Sequence, residues 1–148
     1  MRRVTLRRLA WVVPFALLAA ACDNETTTTP TTPTTPTTTV SITDVFTGSI
    51  SQTGSALHTF ATEPGRVTTT LTSLAPVTTS AIGIEVGTWD GASCIPVLAT
   101  ASALVGSYLI GTASTTITLC VKVYDVGNIA EGESLTYTVE VVHQTKSS

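Results

Sequence analysis

Alternation of apolar and polar residues is the feature that most limits the folds open to this chain. Isoleucine, leucine, valine or tyrosine occupies every second position in residues 82–87, 117–123 and 135–141, with mostly polar residues or glycine between them. A period of two indicates β-strands, because successive side chains of a strand point to opposite faces. No segment shows a convincing helical period.

Four further segments are predicted to be strands from their composition. Val, Ile and Thr dominate residues 40–50, 56–61, 66–74 and 104–111, and Gly, Pro, Ser or Asp separates them. About eight short strands, each with one face to bury, must pack those faces against one another. We therefore predict one all-β domain over residues 40–148, a jelly-roll-like β-sandwich of about eight strands.

The first 21 residues are predicted to be a signal peptide. Arginines at positions 2, 3, 7 and 8 precede an apolar run from Leu9 to Ala21, which Pro14 interrupts. This run is shorter than the roughly 20 apolar residues that a transmembrane helix needs. Cleavage is therefore favoured over a retained membrane anchor.

Three alanines lead directly into Cys22, an arrangement that resembles the lipobox of bacterial lipoproteins. The resemblance implies that the Cys22 thiol is acylated and that the chain is cut just before it. The protein would then be held at a membrane of the cell envelope by its N-terminal lipid, facing the periplasm or the exterior. Ala19 stands where a lipobox usually has leucine, so the alternative is ordinary cleavage after Ala21, which would give a secreted protein.

Residues 22–39 are predicted to be a disordered spacer. The tract is rich in threonine, with prolines at positions 30, 33 and 36, and has almost nothing apolar to bury. In polyproline geometry such a tract extends by about 3.1 Å per residue, so it would hold the next domain on the order of 50 Å from the membrane.

The charge of the exported chain is strongly negative. Residues 1–21 carry four of the seven basic residues, and their removal leaves Arg66, Lys122 and Lys146 against ten carboxylates. Without a basic patch, nucleic acid is excluded as an expected partner.

Cys94 and Cys120 are predicted to form a disulfide bond. An export signal takes these thiols into an oxidising compartment, where an acylated Cys22 would leave them only each other. A metal pair and a catalytic thiol are the less favoured alternatives, since no histidine lies near either cysteine in the sequence.

The order of several motifs resembles the bacterial pre-peptidase C-terminal domain. Residues 45–50 contain a Phe-x-Gly strand, residues 57–60 end in phenylalanine, residues 64–71 begin a Val/Leu-containing strand after Pro-Gly, and residues 137–141 read Tyr-x-Val-x-Val. The resemblance covers nearly all of residues 40–144. It implies a β-sandwich that serves as an accessory or binding module and not as a catalyst.

Calcium is the one cofactor for which this resemblance suggests a site, because some members of the family bind it. Asp125, Asn128, Glu131 and Glu133 place three carboxylates and an amide between two predicted strands, and hard cations need several such oxygen ligands. The alternative is a solvated hairpin in which Gly127 and Asn128 supply the turn. No other metal or cofactor is predicted.

Trp89 and Asp90, near Cys94, form a candidate contact for a carbohydrate ring, since an aromatic face beside a carboxylate can hold a sugar. Packing of the indole against the disulfide is the favoured alternative. His58 and His143 match no nucleophile or metal motif, so no catalytic residue is predicted.

Together these features predict a non-catalytic binding or adhesion module, displayed on a lipid-anchored spacer, that contacts a polysaccharide, the cell wall or an envelope protein. The alternative is a structural envelope lipoprotein that acts through protein–protein contacts. An enzyme is not expected.

Overall fold

The computed structural model describes residues 38–76 and 81–147 of the chain. The predicted signal peptide, Cys22 and almost all of the predicted spacer lie outside these residues. Eight strands make up the domain: β1 (Thr39–Ser51), β2 (Ser55–Thr62), β3 (Gly65–Ala75), β4 (Ile82–Trp89), β5 (Cys94–Ala103), β6 (Tyr108–Ala113), β7 (Ile117–Tyr124) and β8 (Ser134–Lys146). In this part of the chain no helix is long and apolar enough to cross a membrane.

The strands form two four-stranded antiparallel sheets. The first sheet has the order β1-β8-β3-β6 and the second the order β2-β7-β4-β5. Two such sheets of four strands, with neighbours that are mostly distant in sequence, are the arrangement of a jelly roll. The predicted all-β, jelly-roll-like sandwich is confirmed.

The core lies between the sheets and is built by the alternation seen in the sequence. In β4, β7 and β8 the apolar residues of the period-two pattern point inward, and several of them are completely shielded from solvent. The fully buried apolar side chains include Leu71, Ile82, Val121, Val123, Val139 and Val141.

The strand prediction was wrong at β5, for which no strand was predicted. Two β-bulges shift the register between β4 and β5, one between Ile82 and Ile84 and one between Val86 and Gly87. Each bulge adds a residue to one strand and breaks the period of two. The exposed and buried side chains of β5 therefore fail to alternate over its length.

The strand predicted over residues 104–111 is shorter and lies further along the chain, because β6 begins only at Tyr108. Residues 104–107 instead form a turn in which the Ser107 amide donates to the Leu104 carbonyl oxygen at 2.8 Å. Gly106 in this turn has a φ of 92°, a conformation that favours glycine.

Cys94 and Cys120 form a disulfide bond, which matches the pairing predicted from the sequence. Cys94 begins β5 and Cys120 lies in β7, so the bond joins the two strands that flank β4. Opposite Cys120 in β4 stands Gly87, where a side chain would collide with the carbonyl oxygen of Ile95. Glycine at this position allows β5 to approach closely enough for the bond to form.

Two lateral margins of the sandwich bring together edge strands of different sheets. We call the side where β1 meets β2 the β1–β2 margin. The opposite side, formed by β5, the turn after it and β6 (residues 94–113), is the β5–β6 margin. These margins contain the most distinctive side-chain arrangements of the domain.

Candidate functional site

The Asp125 carboxylate, a predicted calcium ligand, is held by the backbone around it. Its Oδ1 accepts hydrogen bonds from the amides of Gly127 and Asn128 at 2.9 Å and of Ile129 at 3.2 Å, and its Oδ2 accepts one from the Thr53 amide at 2.9 Å. Desolvation raises the pKa of Asp125, but these N–H donors outweigh it and leave the pKa below its usual value. The carboxylate therefore joins the β1–β2 turn to the loop after β7.

The other predicted calcium ligands do not gather around Asp125. The Asn128 side-chain amide donates to the Ala81 carbonyl oxygen at 2.9 Å, and the side chains of Glu131 and Glu133 are exposed. Within residues 38–76 and 81–147, no three His, Cys, Asp or Glu side chains lie close enough together to hold a metal ion. Calcium binding stays a prediction.

Asp90, the predicted carbohydrate contact, stabilises its own turn between β4 and β5. Its Oδ1 accepts from the amides of Ser93 at 2.7 Å and Ala92 at 2.8 Å, and its Oδ2 accepts from the Ser93 hydroxyl at 2.9 Å. These hydrogen bonds lower the pKa of Asp90, and the bond from the Ser93 amide has the largest effect. Trp89 is half-buried at the end of β4, directly opposite Cys94 in the strand register. The carbohydrate site stays a prediction, and the Asp90 carboxylate that it would use already accepts hydrogen bonds within its own turn.

Both histidines of the chain lie at the β1–β2 margin, where the sequence pointed to no site. The His58 ring stacks on Phe46 with their centroids 4.8 Å apart and 16° between the ring planes. His58 Nε2 is 2.7 Å from the hydroxyl oxygen of Tyr137, and a side chain at Gly48 would collide with the Tyr137 ring. Desolvation lowers the pKa of His58 and raises that of Tyr137.

His143 extends this arrangement towards the other end of the margin. The residue is 1% exposed, and its ring packs against Phe60 at a centroid distance of 4.9 Å. Its Nε2 lies 3.0 Å from Oδ2 of Asp44 in β1. The alternation itself contains a signal for this contact, since Asp44 lies two residues before Phe46 and His143 two after Val141. Each therefore shares the inward face of its strand.

The β5–β6 margin has the opposite chemistry. Residues 91–121 contain no Asp, Glu, Lys, Arg or His. Within this uncharged segment, Val97 is 70% exposed and Tyr108 is 65% exposed. The large apolar side chains exposed there are Ile95, Val97, Leu104, Val105, Tyr108 and Ile110.

A cavity of about 190 Å³ opens between the two sheets at this margin. Its walls come from five strands and consist mainly of aliphatic side chains: Val67, Val86, Leu98, Leu109 and Leu119. The exposed residues that line it, and so form its mouth, are Val97, Thr112, Ser114 and Thr115. The arrangement can hold an apolar group and offer hydroxyl hydrogen bonds at the entrance.

Small residues create this space. Gly111 and Ala113 face inward from β6 and line the cavity. A Cβ at Gly111 would come to 3.2 Å from Cδ1 of Leu98, so the absence of a side chain there lets β5 and β6 approach. The uncharged segment is visible in the sequence, whereas the cavity is not, because it depends on where β5 and β6 meet.

Comparison with known proteins adds no further assignment. The sequence matches no protein-family model and no curated protein.

Proposed function

We propose that this chain is a lipid-anchored, non-catalytic binding module of the cell envelope, and that the β5–β6 margin is its contact surface. The observation that carries the proposal is the uncharged segment 91–121, which contains that margin and exposes six large apolar side chains. Exposed apolar patches on a soluble domain commonly mark contact sites.

The distribution of charge supports a contact at this side. All the charged side chains of the described residues lie outside residues 91–121, and most of them are carboxylates. Natural edge strands usually carry charges that discourage association with other chains, and β5 and β6 carry none. A partner at this margin therefore meets no charged residue on β5 or β6.

The predicted leader and spacer support display from a membrane. The motifs that resemble the pre-peptidase C-terminal domain support an accessory role, and their Phe46, Phe60 and Tyr137 lie on the inward faces of β1, β2 and β8. The alternative of a structural envelope lipoprotein would use the same margin for contacts with neighbouring proteins.

The anchor is tested by replacing the predicted acylation site. In cells that make the full chain, Cys22→Ser should move the protein from the membrane fraction to the soluble fraction. Ser41→Ala, an exposed position in β1, is the control and should leave it with the membranes. A Cys22→Ser protein that stays with the membranes would contradict the anchor.

The contact surface is tested by placing one carboxylate on each margin. The chain from residue 23 to 148 contains every strand pair and the disulfide. Its binding to envelopes from cells that lack the protein is compared for Val97→Asp and for Leu57→Asp, an exposed residue of β2 on the opposite margin. We expect Val97→Asp to weaken the affinity for envelopes about tenfold, by roughly 1.4 kcal/mol of binding free energy, and Leu57→Asp to leave it unchanged. No binding at all, or equal binding by both variants, would contradict the proposal.

A further inference from the structure

We propose that the cavity at the β5–β6 margin binds an uncharged ligand with an aliphatic chain, such as the hydrocarbon part of a neutral lipid, whose polar end lies at the hydroxyl-lined mouth. This inference rests on the proposed function, because it names the class of ligand for the same margin.

The cavity is larger than an ordinary packing defect. Protein cores are close-packed, and voids larger than a water molecule are few. An apolar cavity of about 150 Å³ in another protein stays dry and admits benzene. At about 190 Å³, with an open mouth, this cavity has room for a short aliphatic chain.

The residues that line the cavity favour an uncharged ligand. Aliphatic side chains form the walls, and none of the lining residues is charged. A carboxylate or ammonium group drawn into this site would lose its hydration without finding an ion partner, which is strongly unfavourable. The exposed hydroxyls of Thr112, Ser114 and Thr115 offer hydrogen bonds at the mouth, so an alcohol, ester or amide end fits there; half-buried Thr88 is the one other lining residue with a hydroxyl.

The backbone of β5 argues against an added β-strand as the occupant. Pro96 lacks an amide hydrogen, and Val97 is the extra residue of a bulge, skipped between the pairs Gly87–Pro96 and Val86–Leu98. Prolines and bulges on edge strands interrupt the backbone hydrogen bonds that a new strand would need. A ligand held through side-chain contacts suits this stretch better than a peptide held through its main chain.

The test uses the chain from residue 23 to 148 with 1-hexanol as the probe, followed through the NMR signals of valine, leucine and isoleucine methyl groups. We expect saturable shifts at Leu98, Leu109 and Leu119, whose side chains line the cavity. Hexanoate, with the same chain length and a negative charge, should bind at least tenfold more weakly at neutral pH. Absence of saturable shifts, or equal affinity for hexanoate, would overturn the inference.

Two variants reduce the cavity from within. Ala113→Leu should abolish the hexanol-dependent shifts by filling the space, since Ala113 lines the cavity and is 8% exposed. Gly111→Ala is the milder variant should Ala113→Leu fail to fold: its Cβ meets only the flexible end of Leu98, and we expect about threefold weaker binding. Ala61→Leu, on the exposed face of β2, is the matched control and should bind like the natural chain. Unchanged binding by both cavity variants would overturn the inference.

Failure of this inference can be distinguished from failure of the proposed function. If hexanol does not bind while Val97→Asp still reduces envelope binding, the envelope contact stands and the lipid-like ligand is wrong. If the natural chain binds hexanol, Ala113→Leu abolishes that binding, and the natural chain does not bind envelopes, then the ligand class stands and the envelope contact is wrong.

Discussion

The two margins of this sandwich differ in how far side chains fill the gap between its sheets. At the β1–β2 margin, aromatic rings fill the space, and hydrogen bonds join His58 to Tyr137 and His143 to Asp44. At the β5–β6 margin, Gly111 and Ala113 leave it open, and the surrounding side chains are uncharged. The packed rings stabilise one margin, and the open margin is the one that we propose for contacts.

The disulfide bond involves the β5–β6 margin, because Cys94 begins β5. It ties the start of β5 to β7, where side-chain packing between β5 and β6 leaves a cavity. The β1–β2 margin has no such covalent link among the described residues and is held by packed rings. The stability of each margin should therefore respond to different changes.

The largest expected effect comes from removing a ring at the β1–β2 margin. Phe60 is 5% exposed and packs against His143, so Phe60→Ala should lower the free energy of unfolding by about 3–5 kcal/mol. Urea unfolding followed by circular dichroism measures it. A loss below about 1 kcal/mol would contradict the view that packed rings close this margin.

Removing the disulfide should have a slightly smaller effect at the other side. Its cysteines are 26 residues apart, and the chain-entropy model assigns a loop of that size about 3–4 kcal/mol. Urea unfolding of Cys94→Ala/Cys120→Ala measures the loss. Reductant should destabilise the natural chain by a similar amount and leave the double variant unchanged; equal sensitivity of the two would contradict the assignment.

Two tyrosines test this difference, because each substitution removes one hydroxyl from one margin. Tyr137→Phe leaves His58 Nε2 without its partner and should cost about 1–2 kcal/mol of unfolding free energy. Tyr108→Phe, at a residue 65% exposed, should change it by less than about 0.5 kcal/mol. Equal effects of the two substitutions, measured by urea unfolding, would break the distinction between the margins.

Acid should weaken the β1–β2 margin through His58. Its folded-state pKa lies below the ordinary value of 6.5 because burial disfavours the imidazolium, so the unfolded chain binds a proton first as the pH falls. The free energy of unfolding is expected to decline as the pH falls below about 6.5, and to go on declining until the pH has passed the lowered folded-state pKa. The loss in unfolding free energy between pH 7.5 and 5 should be smaller in His58→Gln. Parallel pH profiles of the two chains would contradict this origin.

The smallest expected effect is on the stability of the open margin. Val97 is 70% exposed, so Val97→Asp should alter the free energy of unfolding by less than about 0.5 kcal/mol. This measurement also shows that any change in envelope binding by this variant reflects contact and not unfolding. A loss above about 1 kcal/mol would mean that Val97 is packed in solution and that the margin is not free.

The sequence predicted some elements well because their signals are local. β4, β7 and β8 follow the alternation closely, and the two cysteines pair as predicted. β5 was missed because its two bulges remove the alternation, and the turn at residues 104–107 had the composition of a strand. Asp90 was predicted as a carbohydrate contact and Asp125 as a calcium ligand, and the carboxylates of both stabilise the turns that contain them.

Side-chain alternation was sufficient to predict strands and a sandwich, because it depends only on which residues share a face. Which edge strands meet depends on pairings between residues as far apart as Thr39 and Lys146, and on bulges that move one strand against another. The tertiary structure therefore decided that both histidines meet aromatic rings at one margin, and that an uncharged segment surrounds a cavity at the other. The local alternation places these residues on the inward faces of their strands, but which of them meet depends on how distant strands pack.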